Sequence, residues 1–154
     1  MLARSHNEID PSAVINLYRN GIFPMGDHND DNQIFWCNPI VRAVIPISKL
    51  HISRKLKKLC RKNKFEFSMN HDFSTTILNC ANREETWINK SIISTYNTLH
   101  DLGYAHSIEV WEDKKLKGGL YGVAIGKVFF AESMFSKSSN GSKLALIALM
   151  GILA

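Results

Sequence analysis

Residues 105–136 read AHSIEVWEDKKLKGGLYGVAIGKVFFAESMFS, and the period-two patterning of that stretch decides the fold. His106–Trp111 is predicted as one strand, Leu116–Ile125 as a second and Val128–Met134 as a third, with a polar turn at Glu112–Lys115. Short connections between such strands imply an antiparallel meander. The third strand carries one carboxylate, Glu132, among Val128, Phe129, Phe130, Ala131, Met134 and Phe135. Burying an unpaired carboxylate is costly. Glu132 is therefore either satisfied structurally, by backbone amides or an ion pair, or kept for substrate recognition or proton transfer.

Working outward from the meander, the flanking chain reads as helices and short strands. Asp10-Pro11 is a helix start, with Val14, Leu17 and Tyr18 at helical spacing and Gly21 as the stop. Residues 22–26 are expected to form an apolar loop, and Ile34–Cys37 and Val41–Ile47 two strands around Asn38-Pro39. Ser53–Asn63 is a short amphipathic helix with Ile52, Leu56 and Leu59 on one face and a cationic remainder. Phe65–Met69 is a strand, Asp72 caps a helix to about Cys80, and Lys90–His100 is a helix closed by Gly103. The last helix, through Leu144–Ala154, is apolar nearly all round, so it should be covered on every side or meet a second copy. Mixed helices and an antiparallel sheet make the expected fold class α+β.

Composition narrows the function. The 154 residues are 45% hydrophobic and 21% charged, with a formal net charge of +5, which favours a polyanionic partner. Three widely spaced cysteines and six histidines show no metal-ligand spacing, so neither a metal nor a cofactor is expected. Met1–Glu8 lacks a secretory apolar core, and the longest apolar run is too short to span a bilayer, so a cytoplasmic location is expected.

Several segments together carry a resemblance. They are Gly21-Ile22-Phe23-Pro24, Trp36 with Asn38-Pro39, Leu50–Arg54, Glu84–Ile88, Leu102–Trp111, Gly118–Ala124 and Glu132–Ser136. In that order, from about residue 10 to 148, the chain resembles the bacterial leucyl/phenylalanyl-tRNA–protein transferases. The resemblance implies two parts, a small N-terminal α/β domain over 1–64 and an incomplete antiparallel-sheet acyltransferase domain of the GNAT fold over 65–154. It also implies transfer of Leu, Phe or Met from aminoacyl-tRNA to proteins that begin with Lys or Arg, tagging them for degradation.

On that resemblance Glu132 holds or orients the acceptor amine, and Trp87 stacks on the terminal adenine with Met25 on the other side, where relatives often have Trp. Leu120, Tyr121 and Phe129 are expected to line the aminoacyl pocket, and Arg54, Lys57, Lys58 and Arg61 to meet tRNA phosphates. By residue type alone, Trp87 reads as a half-buried core aromatic, the apolar trio as core, and the basic helix equally as a solvated face. Ser138–Ser142 resembles the anion nest of acetyl-CoA-dependent GNAT enzymes but has one glycine and lacks their fuller Gly-rich loop. Family members continue past the last helix into a strand with an Asp-x-Gln motif implicated in catalysis. This chain ends at Ala154, so the expectation is a truncated transferase of reduced or absent activity. A non-catalytic tRNA-binding remnant is the alternative, and a small-molecule acetyltransferase ranks third.

Overall fold

The computed structural model describes residues 9–154; Met1–Glu8, read above for a secretory signal, lie outside the described residues. Asp10 caps α1 (Pro11–Arg19) by accepting the Ser12 N–H at 3.2 Å, with Pro11 pre-set for the first turn. The next two elements, β1 (Phe23–Gly26) and β2 (Ile34–Cys37), form an antiparallel hairpin. The segment expected as an apolar loop is therefore a strand, because its partner arrives after a polar turn. Val41–Ile47, expected as a strand, forms none. Pro39 just before it and Pro46 within it remove ladder donors, and Val41 and Val44 are 84% and 79% exposed with no sheet to lie on.

Ser53 caps α2 (Arg54–Cys60) through its hydroxyl, which accepts the Leu56 N–H. Then follow β3 (Glu66–Met69), α3 (Phe73–Ala81) capped by Asp72, and α4 (Lys90–Asp101) capped by Asn89. The meander is present as expected: β4 (Ala105–Glu112), β5 (Lys115–Ile125) and β6 (Val128–Ser136) pair antiparallel, and β3 extends the sheet to the order β3-β4-β5-β6. The final helix is α5 (Gly141–Leu153). Helices and antiparallel sheets in separate runs make the fold α+β.

Alternation along β4 and β5 gives the sheet two apolar faces. One carries Tyr121 and Val123 against Val14, Ile15 and Tyr18 of α1, Ile77 and Cys80 of α3, and Ile92, Tyr96 and Leu99 of α4. The other carries Ile108, Val110 and Leu120 against Leu144, Ala145 and Leu149 of α5, with Leu56 and Leu59 of α2 alongside. The last helix is covered on that side only: Ile152 and Leu153 stay 51% and 38% exposed, so part of its apolar surface is left uncovered by the described residues.

Two buried polar residues tie the elements together. Glu109 accepts from the Ser68 and Ser107 hydroxyls, each at 2.6 Å, and from the His71 and Asp72 amides where α3 begins. It is thus a structural carboxylate satisfied from four sides. Asn89 caps α4 through Oδ1, which accepts the Ile92 N–H, while its Nδ2 donates to the carbonyls of Asp30 and Gln33 in the β1–β2 turn. Asn89→Ala removes the cap and frees the turn, so a loss of about 2 kcal/mol is expected in chemical denaturation.

Candidate active site

Register creates the site. Tyr121 of β5 opposes Ser133 of β6 and Gly122 opposes Ala131, so Glu132 is an extra, unpaired residue in a β-bulge. Bulges bend a strand and re-aim the side chain they release. Gly122 is what lets the chain do this: a Cβ there would stand 2.3 Å from the Phe130 carbonyl oxygen and 2.5 Å from the Phe129 ring.

The released carboxylate turns toward the α1–α4 side. Tyr18 donates its hydroxyl proton to Glu132 Oε1 at 2.6 Å, and its oxygen also contacts the Tyr96 hydroxyl in a short hydrogen bond. Tyr96 in turn meets Tyr121 edge to face at 5.5 Å. Burial pushes the Glu132 carboxyl from its ordinary value near 4.5 up to about 7, opposed by the Tyr18 bond, the Arg42 charge and Tyr96. Tyr18, Tyr96 and Tyr121 are all driven well above the usual phenol range, chiefly by burial, so they stay protonated and act as donors. The Tyr121 hydroxyl has no hydrogen-bond partner although it is fully buried.

Arg42 lies 4.7 Å from the Phe23 ring centroid and 5.9 Å from that of Phe130, and its charge acts on the Glu132 carboxylate. Cys80, beside Ser133, is pushed up to about 12 by burial and is no nucleophile at neutral pH. Among the described residues no group of three His, Cys, Asp or Glu is placed to hold a metal, and no helix is long and apolar enough to cross a membrane.

Trp87 is half-buried and packs against the cluster that contains Tyr18 and Tyr96, which puts it on the same side of the sheet as Glu132. Its carbonyl accepts the Gly26 N–H at 2.8 Å, so Met25, also half-buried, comes from the strand lying directly beside the Trp87 loop. The aminoacyl trio is divided. Leu120 and Phe129 belong to the α5 face, whereas Tyr121, one residue along β5, points the other way into the α1–α4 face. One pocket lined by all three side chains does not form, because successive residues of a strand face opposite ways. Arg54, Lys57, Lys58 and Arg61 are exposed on or just after α2. That helix sits on the α5 side beside β3, three strands or roughly 14 Å across the sheet from β6.

Sequence reasoning missed Tyr18, Tyr96 and Arg42. Tyr18 reads as an ordinary helix-core position and Tyr96 lies unremarked in the Lys90–His100 helix, yet a buried phenol needs a partner, and Glu132 was the carboxylate without one. Nothing local to Arg42 pointed to it.

Two family models match the chain. The leucyl/phenylalanyl-tRNA protein transferase model covers residues 44–154, and the model of that protein's N-terminal domain covers residues 7–39. The chain belongs to the leucyl/phenylalanyl-tRNA–protein transferase family. The match reaches residue 154 rather than fading near 148. The leucyl/phenylalanyl-tRNA–protein transferase of Dinoroseobacter shibae is 46% identical over 149 residues, 97% of this chain and 67% of the relative. Those of a Ruegeria species (strain TM1040) and of Maricaulis maris are each 46% identical, over 92% and 89% of this chain and 68% and 65% of their own lengths. The chain thus spans about two thirds of these family members, which are named as aminoacyltransferases.

Proposed function

We propose that Glu132 is the proton acceptor in transfer of Leu, Phe or Met from the 3′ end of tRNA to the α-amino group of a protein that begins with Lys or Arg. The observation that carries this reading is a buried carboxyl released by a β-bulge and poised at about 7, its Oε1 accepting from Tyr18 at 2.6 Å with Tyr96 as a second hydrogen-bond partner. An α-ammonium titrates at roughly 7.7–8.0, so passing its proton to a group near 7 costs little. The freed amine attacks the ester carbonyl, the carbon–oxygen bond to the ribose breaks, and the proton from nitrogen returns to the departing 3′-oxygen. Aminolysis of an ester is downhill, so positioning and charge stabilisation suffice and no covalent intermediate is needed.

Trp87 supplies a stacking plate for the terminal adenine and Met25 a softer second contact, at roughly 1–3 kcal/mol for an aromatic platform. A substrate beside β6 can meet Glu132 on one face and Phe129, with Leu120 behind it, on the other. Tyr121 then belongs to the acid–base side rather than to the aminoacyl pocket. An N-terminal part to residue 64 and a GNAT-like part from 65 remain our proposed division, with a cytoplasmic site of action and tagging for degradation as the outcome.

The exposed cations of α2 are assigned to stem phosphates, with a few unpaired nucleotides bridging from there to β6. Neutralising Lys57, Lys58 or Arg61 is expected to weaken tRNA binding whatever its sequence and to lower the salt slope by about 1 each, read by filter binding across salt. The reading as a whole is tested by incubating the protein with tRNA charged with labelled Phe or Leu and with peptides that start with Arg, Lys or Asp. Product on the Arg and Lys peptides alone is expected; absence of product on all of them refutes the proposal.

A further inference from the structure

Between the end of α3 and the end of β6 lies a cavity of about 410 Å³, lined in its polar part by Asn79, Asn82, Arg83, Ser136, Lys137 and Ser142. Two of these are cations, the others are amides and hydroxyls, and none is a carboxylate. Glu84 and Glu85 follow Arg83 in the chain but are exposed and do not line it. The start of α5 borders the cavity, yet its Gly141 and Ser142 amides are already bonded to the Ser138 carbonyl and the Ser136 hydroxyl. The side-chain cations therefore decide what the cavity takes.

Arg83 is held in place for that task. Its Nη2 donates to the Met134 carbonyl and lies 3.4 Å from the Ser133 hydroxyl, which fixes the guanidinium against β6. A guanidinium has five N–H donors in a rigid fork, so pinning one nitrogen orients the others. Lys137 extends past the Phe135 ring, its ammonium 5.9 Å from the ring centroid, as a second point of positive charge.

We propose that this cavity binds a phosphate group of the unpaired 3′ end of RNA, the phosphate that precedes the nucleotide stacked on Trp87. The inference rests on the transferase reading for the identity of its ligand. Arg83 and Trp87 stand four residues apart in the single loop joining α3 to α4, so one loop presents a phosphate donor and a base platform together. Met134, which lines the cavity, is two residues or roughly 7 Å along β6 from Glu132, a span that a single nucleotide covers. An arginine fork with a lysine beside it matches the geometry and charge of a phosphodiester better than any neutral ligand.

The test compares two probes on the full chain by calorimetry: 3′-phenylalanylamido-adenosine, and the same nucleoside joined through its 5′-phosphate to cytidine. The dinucleotide is expected to bind about tenfold tighter. Lys137→Gln and Arg83→Lys should remove that gain and leave the nucleoside's affinity in place. Lys137→Gln has no backbone bond to lose, so it reads the charge alone if Arg83→Lys loosens β6. Equal affinity for the two probes, or equal weakening of both by the variants, overturns the inference. Inorganic phosphate, followed at the Arg83 Nε–H resonance, separates it from the transferase reading. A shift without nucleoside binding keeps the anion site and sinks the transferase reading; nucleoside binding without a shift does the reverse.

Discussion

Glu132→Gln is expected to lower the rate of aminoacyl transfer by about 10²–10⁴-fold while leaving tRNA affinity unchanged. The amide keeps the size of the side chain and still accepts the Tyr18 hydroxyl at the position of Oε1, so the bulge and its surroundings stay folded. What it loses is the ability to take a proton from the acceptor amine. Tyr18→Phe should cost less, because it removes a partner of the carboxylate and not the carboxylate. The same substitution has a thermodynamic signature. A carboxyl raised from near 4.5 to about 7 binds a proton in the folded chain that the unfolded chain has already released. Its contribution therefore favours folding below that window and is lost as pH climbs from 4.5 to 7. Thermal melts of the parent protein and of Glu132→Gln should diverge across that interval, with the parent losing more stability toward neutral pH. His106, whose value is depressed mainly by burial, acts equally in both proteins and cancels in the difference.

Gly122→Ala is the second large effect. The added methyl would sit 2.3 Å from the Phe130 carbonyl oxygen, a backbone atom that cannot swing aside, and 2.5 Å from Cε1 of Phe129. Either β6 shifts along β5 or the bulge straightens, and a straightened bulge returns Glu132 to the ladder, away from Tyr18. A loss of about 3 kcal/mol is expected in urea unfolding, at the upper end for an overpacked core. Transfer should fall further than stability explains, with the rate lowered even at temperatures where the variant is fully folded. Retention of both stability and rate would mean that the bulge does not set the carboxylate.

The meander and the helix ends were legible because their signals are local. Asp10-Pro11, Asp72 and Gly103 act through their own backbone neighbours, and the alternation of 105–136 repeats often enough to outweigh noise. The strand at Phe23–Gly26 was not legible, since a Pro-containing run of four residues becomes a strand only when Ile34–Cys37 arrives to pair with it. Val41–Ile47 failed in the opposite sense: β-branched residues favour a pleated surface, but no neighbouring strand comes to offer one. Glu132 itself stood out as a lone charge in an apolar strand. Its partners did not, because Tyr18 and Tyr96 lie 114 and 36 positions away and reach it only through tertiary packing. The grouping of Leu120 with Tyr121 broke on the pleat, which a pocket drawn from sequence proximity ignores.

Single-turnover transfer from charged tRNA to an Arg-initiated peptide, followed from pH 5 to 9 in the parent protein and in Glu132→Gln, reads the role of this carboxyl without the complication of product release. The parent rate should rise through an inflection near 7, and the variant should be slow and lack that inflection. The acceptor amine's own inflection, at roughly 7.7–8.0, is common to both proteins; a second inflection near 7 that persists in Glu132→Gln, or no transfer by the parent at any pH, contradicts a proton-accepting Glu132.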